Sequence, residues 1–233
     1  MLQYKDVNNE YLGKMVDGFL QTRVCTKYTL EEVRDSMWRS LQRADPVAFP
    51  WGGYTGIQYI LDYLLSTRRS VTSSLMRCPN NHLLNRARVA TSGCQIAILR
   101  QCTDIQAFID DHSIECASCC HVCHSHVIRQ HVFEDTPAII AFDMSQHWVS
   151  LLESIVVTMV NGGCTTYKLR GIMYYLDNHF TSQFVLESGC VWYHDGIATG
   201  RQMVLEGTCV GDTDLGTCQS RIAVCAVYAV ISC

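Results

Sequence analysis

The sequence predicts an α+β fold, helices first and an antiparallel sheet after them. Two observations lead there: apolar residues recur at helical spacing through the first third, and from Val71 onward short strand-like runs and loops replace them. Runs of helices followed by runs of strands, without regular alternation, point away from a parallel sheet. The chain has 233 residues and 48% apolar composition, so it can bury a sizeable core as one large domain or a domain with a subdomain.

Leu12, Met15, Val16, Phe19 and Leu20 share one face of a first helix. Thr29 and Glu32 make a capping-box pattern ahead of Leu30, Val33, Met37 and Leu41, which predicts a second helix starting near Leu30 and stopping before Pro46. The loop "DPVAFPWGGYTG" follows, and Ile57, Ile60, Leu61, Leu64 and Leu65 then return to helical spacing. Strand-like segments come next: "CQIAIL", "SHVIRQHVFE", "AIIAF", "YKLRGIMYYL", "FTSQFVL", "CVWYH" and "RIAVCAVYAVI". One short helix, Asp104 to Asp110, interrupts them, with Ile105, Phe108 and Ile109 on one face.

The formal net charge is −4, and basic pairs such as Arg68 and Arg69 are too sparse to form a stripe, which disfavours nucleic acid as a partner. The longest apolar run, Ile222 to Ile231, falls well short of the roughly 18–20 residues of a spanning helix and reads as a buried strand, so no membrane is expected. The start, Met-Leu-Gln-Tyr-Lys-Asp, lacks a secretory n-region and h-region. An intracellular protein, cytoplasmic or nuclear, is the expectation. Its 14 cysteines are then reduced, the clustered ones metal-ligand candidates and the scattered ones small core hydrophobes.

The densest chemical signal is "CPNNH" at 78–82 with "CASCCHVC" at 116–123. Tetrahedral zinc takes four Cys or His ligands, and a short spacing lets one turn aim two side chains at one ion. Cys116 and Cys119 fit that spacing, with Cys78 and His82 as the second pair; Cys120 and Cys123 offer an alternative, and His121, His124 and His126 crowd the same loop. Reduced thiols without a metal are the plain alternative. Filled by four protein ligands, the site would staple the fold and activate no water.

Farther on, "NHFTSQFVLESGCVWYHDG" sets His179 at the start of one strand and Asp195 at the end of the next. Adjacent antiparallel strands can bring such positions together, and a histidine oriented by a carboxylate is the base of many thiol hydrolases. A pair of this kind is otherwise ordinary polar surface.

From Cys78 to the end, the order of these features resembles the ubiquitin-specific proteases. That family has two ligand pairs in its metal-binding fingers, resembling Cys78/His82 and Cys116/Cys119, and between them a turn, a strand and a short helix like "ATSGCQIAILRQCTDIQAFI". "VIRQHVFEDTPAIIAFDM" resembles the segment after the second pair, "YKLRGIMYYLDNHFTSQFV" with "VWYHDG" resembles the histidine box, and "AVYAVI" the closing strand. The resemblance implies a papain-like fold: a helical thumb-like part over 1–70, a zinc-binding fingers-like region over 71–136 and a β-rich palm over 137–233. It further implies His179 as base, Asp195 as its orienter, a structural zinc ion and ubiquitin or a ubiquitin-like modifier as partner. There are departures. His82 stands where the family has Cys, Asn178 and Phe180 flank the histidine in place of Gly and Tyr, and "WYHD" is one residue shorter than the usual stretch before the acid. A one-residue shift flips a strand side chain, so the face occupied by Asp195 tests the pair.

The family's nucleophile lies in an Asn-x-Cys-type box near the domain's start, and no such box occurs here. Cys25, in "TRVCTKYTLEE", is the only cysteine before the fingers; it lacks the preceding Asn and is a weak nucleophile candidate. Divergent fungal members carry an Asp-Asn-Ser-Cys-Ala-Tyr box upstream of a region like "NNEYLGKMVDGF" and "YTLEEVRDSMWRSL", so the chain resembles such a protein beginning downstream of its Cys box. The expectation is a ubiquitin-specific-protease-like domain, inactive or truncated, that binds the modifier. An active thiol-dependent deubiquitinating peptidase and a zinc-stabilised interaction module are the other readings.

Overall fold

The structure, a computed structural model, describes residues 27–51, 53, 55–65, 70–82, 84, 89–92, 94–98, 100–111, 113–200, 202–207 and 215–230. The expected helix over Leu12 to Leu20 and Cys25 lie outside the described residues. Two compact units are present, Met1–Arg69 with Ser92–Gln95, and Ser70–Thr91 with Ile96–Cys233.

In the first unit, helix α1 (Lys27–Ala44) and helix α2 (Ile57–Leu65) carry the expected apolar faces. Helix α1 begins three residues ahead of the expected start, which leaves Thr29 in its first turn and not at its cap. It ends, as expected, before Pro46, and Asp45 takes over: its carboxylate accepts from the backbone N–H groups of Val47 (3.1 Å) and Ala48 (2.9 Å). Phe49 is fully buried, and Trp38 and Tyr63 meet it edge to face at ring distances of 5.9 and 5.2 Å.

The second unit holds two antiparallel sheets. The smaller has four strands in the order β2 (Val89–Ser92), β1 (Ser70–Arg77), β5 (His126–Phe133), β4 (Ser113–Cys119). The larger has nine strands. Its main path runs β11 (Val204–Gly207), β10 (Val191–His194), β9 (His179–Val185), β8 (Cys164–Leu176), β13 (Arg221–Val230), β6 (Ile139–Asp143), β3 (Gln95–Ala97). Strand β12 (Thr217–Cys218) pairs with β13, and β7 (Ser154–Thr158) with β8.

The apolar run expected to be a buried strand is β13, held between β8 and β6, with Ala223, Val224, Cys225 and Ala226 all buried. A strand covered on both faces reads as a continuous apolar run, as this one does. Phe142 on β6 meets Tyr228 and Phe108 edge to face at 5.9 and 6.4 Å. The buried tyrosines are satisfied: the Tyr228 hydroxyl donates to the Leu152 carbonyl and that of Tyr167 to the Pro137 carbonyl, both at 2.8 Å. Cys225 and Cys218 behave as core hydrophobes; burial pushes their thiols up to about 12 and about 11.

The short helix α3 (Ile105–Asp110) forms where expected, capped by Asp104, which accepts from the Ala107 N–H at 2.8 Å. Its Gln106 side chain reaches the outer edge of β7. There the amide accepts from the Val156 N–H at 2.7 Å and donates to the Val156 carbonyl at 2.9 Å. A side-chain amide thus completes the strand's hydrogen bonding as a neighbouring peptide would.

No helix among the described residues is long and apolar enough to cross a membrane.

Candidate functional site

Two constellations stand in the second unit. The first is a metal-ligand cluster of Cys78, His82, Cys120 and Cys123, whose donor atoms all lie within 4.8 Å of one another. Cys78 follows the last residue of β1, and the turn after it closes with the Asn81 N–H donating to the Cys78 carbonyl at 2.9 Å, Asn81 being left-handed at φ 58°. Cys120 follows β4, and its turn closes the same way: the His124 N–H donates to the Cys120 carbonyl at 2.9 Å, with His124 also at φ 58°. Because β1 and β4 both pair with β5, the two turns emerge at one end of the small sheet.

The distances fit a tetrahedral ion. Bonds of about 2.3 Å to sulfur and 2.0–2.1 Å to nitrogen imply ligand-to-ligand edges of roughly 3.5–3.8 Å. Cys78 Sγ lies 3.5 Å from His82 Nδ1 and 3.4 Å from Cys123 Sγ, and Cys120 Sγ lies 3.7 Å from His82 Nδ1. The environment favours thiolates on the β4–β5 side. The Ser125 hydroxyl first, then the Asn80 amide, pull Cys123 down to about 5, and backbone N–H groups at Cys123 and Val122 lower Cys120. Desolvation raises Cys78, and the two thiolates raise His82.

Of the residues proposed from the sequence, Cys78 and His82 are thus brought together with Cys120 and Cys123, the alternative second pair. Cys119 is exposed and outside the cluster, and the side chain of Cys116 lies outside the described residues.

The second constellation is the histidine–aspartate pair. Strands β8 and β9 are joined by a two-residue turn at Asp177 and Asn178, with φ of 52° and 61°. This is the left-handed pair a tight hairpin needs, and Asp and Asn tolerate it best after glycine. The Tyr175 hydroxyl donates to Asn178 Oδ1 at 2.9 Å, so the asparagine is itself anchored. His179 therefore starts β9 in a fixed register, opposite Leu176.

Strand β10 pairs with β9 as Tyr193 with Gln183 and His194 with Ser182, which places Asp195 just past β10 on the buried face, diagonal to His179. His179 Nε2 meets Asp195 Oδ1 at 2.9 Å, their side chains 24% and 4% exposed. The one-residue shortening before the acid does not turn it away.

Asp195 is held by more than the histidine. Its Oδ1 accepts from the backbone N–H groups of Ile197 (2.8 Å) and Ala198 (3.0 Å) in the turn it begins, Oδ2 accepts from the Tyr193 hydroxyl at 3.2 Å, and Arg221 stands 4.0 Å away. The N–H groups of Ala198 and Ile197, with His179 and Tyr193, hold the carboxyl well below the usual carboxylate range against the opposing effect of burial. It stays an anion and orients the ring without taking its proton. With Nε2 committed to the acid as a donor, Nδ1 is the ring's basic atom.

A folded-state value below the ordinary one of about 3.9 contributes stability that is complete above that value and is lost as pH falls through the folded one. The gap in melting temperature between the parent and Asp195→Asn should therefore narrow below about pH 4. A gap independent of pH down to 2.5 would contradict the assigned ionisation.

Among the described residues, no thiol hydrogen-bonds to His179. The signals that sequence reading did not use are Tyr193 and the Asp195 turn residues, whose roles are made by hydroxyl and backbone N–H groups that carry no motif.

No family model and no curated protein matches the chain. Solved structures do. A chain of the yeast SAGA DUB module containing an Sgf73 mutant matches with TM-score 0.51 at 10% identity, over 70% of this chain and 41% of that one. A SAGA DUB module of Ubp8, Sgf11, Sus1 and Sgf73 matches with TM-score 0.57 at 8% identity, over 95% and 58%. The chain thus spans roughly half the length of the chains it matches. At these identities the likeness is one of fold alone.

Proposed function

We propose that the chain is a ubiquitin-specific-protease-like domain that binds ubiquitin or a ubiquitin-like modifier inside the cell and does not by itself cleave it. The observation that carries this reading is the 2.9 Å contact of His179 with an anchored Asp195, on a fold shared with a DUB-module chain. His179 would be the base through Nδ1 and Asp195 its orienter. Hydrolysis would need a thiolate beside His179 to form a thioester. Residues 71–136 would form the fingers and 137–233 the palm.

Cys78, His82, Cys120 and Cys123 would hold a zinc ion. Four protein ligands leave no open position for water, so zinc would join the β1 turn to the β4–β5 turn and take no part in chemistry.

Titration of the chain with ubiquitin, followed by calorimetry or by amide shifts, should give saturable binding. No binding at about 100 μM, a free energy weaker than roughly 5.5 kcal/mol, would sink the proposal.

A further inference from the structure

We propose that Tyr193 is a positioning residue for the His179–Asp195 pair, its hydroxyl fixing Asp195 Oδ2 so that Oδ1 stays against His179 Nε2, with Gln219 fixing Tyr193 in turn. This rests on the reading of His179 and Asp195 as base and orienter.

Tyr193 is buried, 3% exposed, on the same face of β10 as Val191. A phenylalanine would fill that position equally well, so the hydroxyl is what needs a reason. It lies 3.2 Å from Asp195 Oδ2 and 3.1 Å from Gln219 Oε1. The backbone N–H groups of Ile197 and Ala198 both hold Oδ1, so among the described residues the Tyr193 hydroxyl is the one hydrogen-bond donor on the other oxygen, with Arg221 farther off at 4.0 Å. The two oxygens turn together about the Cβ–Cγ bond, so the hydroxyl on Oδ2 adds to the restraint that the two N–H groups place on Oδ1.

Gln219 occupies an unfavourable place. It and Ser220 form the two-residue turn between β12 and β13 at φ 49° and 68°, where Asn-Gly is the unstrained choice. Backbone strain retained at a non-glycine pair is a reason to ask what the side chain does, and here it meets the Tyr193 phenol. The phenol has one proton to give. In the structure it faces both Asp195 Oδ2 and Gln219 Oε1; turned end for end, the Gln219 amide would donate to the Tyr193 oxygen and leave that proton to Asp195. Burial first, and the Asp195 charge second, raise the Tyr193 phenol above its ordinary value, so it remains a donor.

The test reads the His179 tautomer in the full chain by long-range ¹H–¹⁵N NMR, with melting temperature as a fold control. The parent ring should be held with its proton on Nε2. In Tyr193→Phe the ratio of that tautomer to the Nδ1–H form should fall about fivefold, the worth of one hydrogen bond, with the fold intact. Gln219→Asn should move the ratio in the same direction without lowering the melting temperature, because asparagine tolerates the left-handed turn. The parent's ratio in Tyr193→Phe would overturn the proposal, and an unmoved ratio in Gln219→Asn would overturn the part given to Gln219. Asp195→Ala separates the two levels. If it too leaves the ratio unchanged, the base–orienter reading itself fails; if it changes the ratio and Tyr193→Phe does not, only the positioning role fails.

Discussion

One zinc ion per chain should be found on metal analysis, lost in Cys120→Ala and in Cys78→Ser and retained in Cys116→Ser and Cys119→Ser. Stripping it with a chelator should lower the melting temperature by about 10 °C or more, because the binding energy of a structural zinc is folding energy. The cluster's edges of 3.4–3.7 Å are those of a tetrahedral ion and far longer than a disulfide. Chelation would leave Cys123, already lowered to about 5, and its neighbour Cys120 without the ion that joins them to Cys78 and His82, beside the core formed by Cys78, Cys120 and Val127. The small sheet should therefore lose amide protection from the β1 and β4–β5 turns inward. Retention of zinc in Cys120→Ala, together with its loss in Cys119→Ser, would assign the ion to the other pair.

Ubiquitin carrying a C-terminal electrophile should leave the chain unlabelled, while the same chain binds unmodified ubiquitin. The electrophile reports a thiolate positioned beside the histidine, and none of the described cysteines hydrogen-bonds to His179. Removing the nucleophile of a thiol hydrolase costs many orders of magnitude in rate, so the contrast with an active relative should be all or none. Labelling that disappears in Cys25→Ala would make Cys25 the nucleophile and turn the proposed binder into a peptidase.

The sheet was legible because its strands are apolar or alternating. Strand β13 announced itself by an unbroken apolar run, and β6, β8, β9 and β10 by runs bounded by turn residues. Strand β1 was harder to read, since "SVTSSLMR" is half hydroxyl residues, yet its Val71, Thr72 and Ser73 are buried; the Ser73 hydroxyl donates to Glu134. The metal pairs show where spacing alone stops. Cys116/Cys119 and Cys120/Cys123 both have two intervening residues, so spacing does not choose between them; Cys120 and Cys123 lie in the turn that follows β4. The turn at Cys120 brings its own pair to the cluster. The segment "CHVCHS" carries that turn, with His124 left-handed at φ 58°. Asp195 was placed by its position in the order of segments; its face was settled by the Tyr193–Gln183 register, which no local spacing encodes.

The amide of Gln106 against Val156 has a consequence beyond local geometry. An unpaired strand border is a template on which another chain can polymerise, and proteins commonly close it with charge, proline or a bulge. Here a single neutral side chain imitates the missing peptide group and occupies its donor and acceptor sites on β7. At Val156, strand addition along that border is thus opposed by one residue of a six-residue helix.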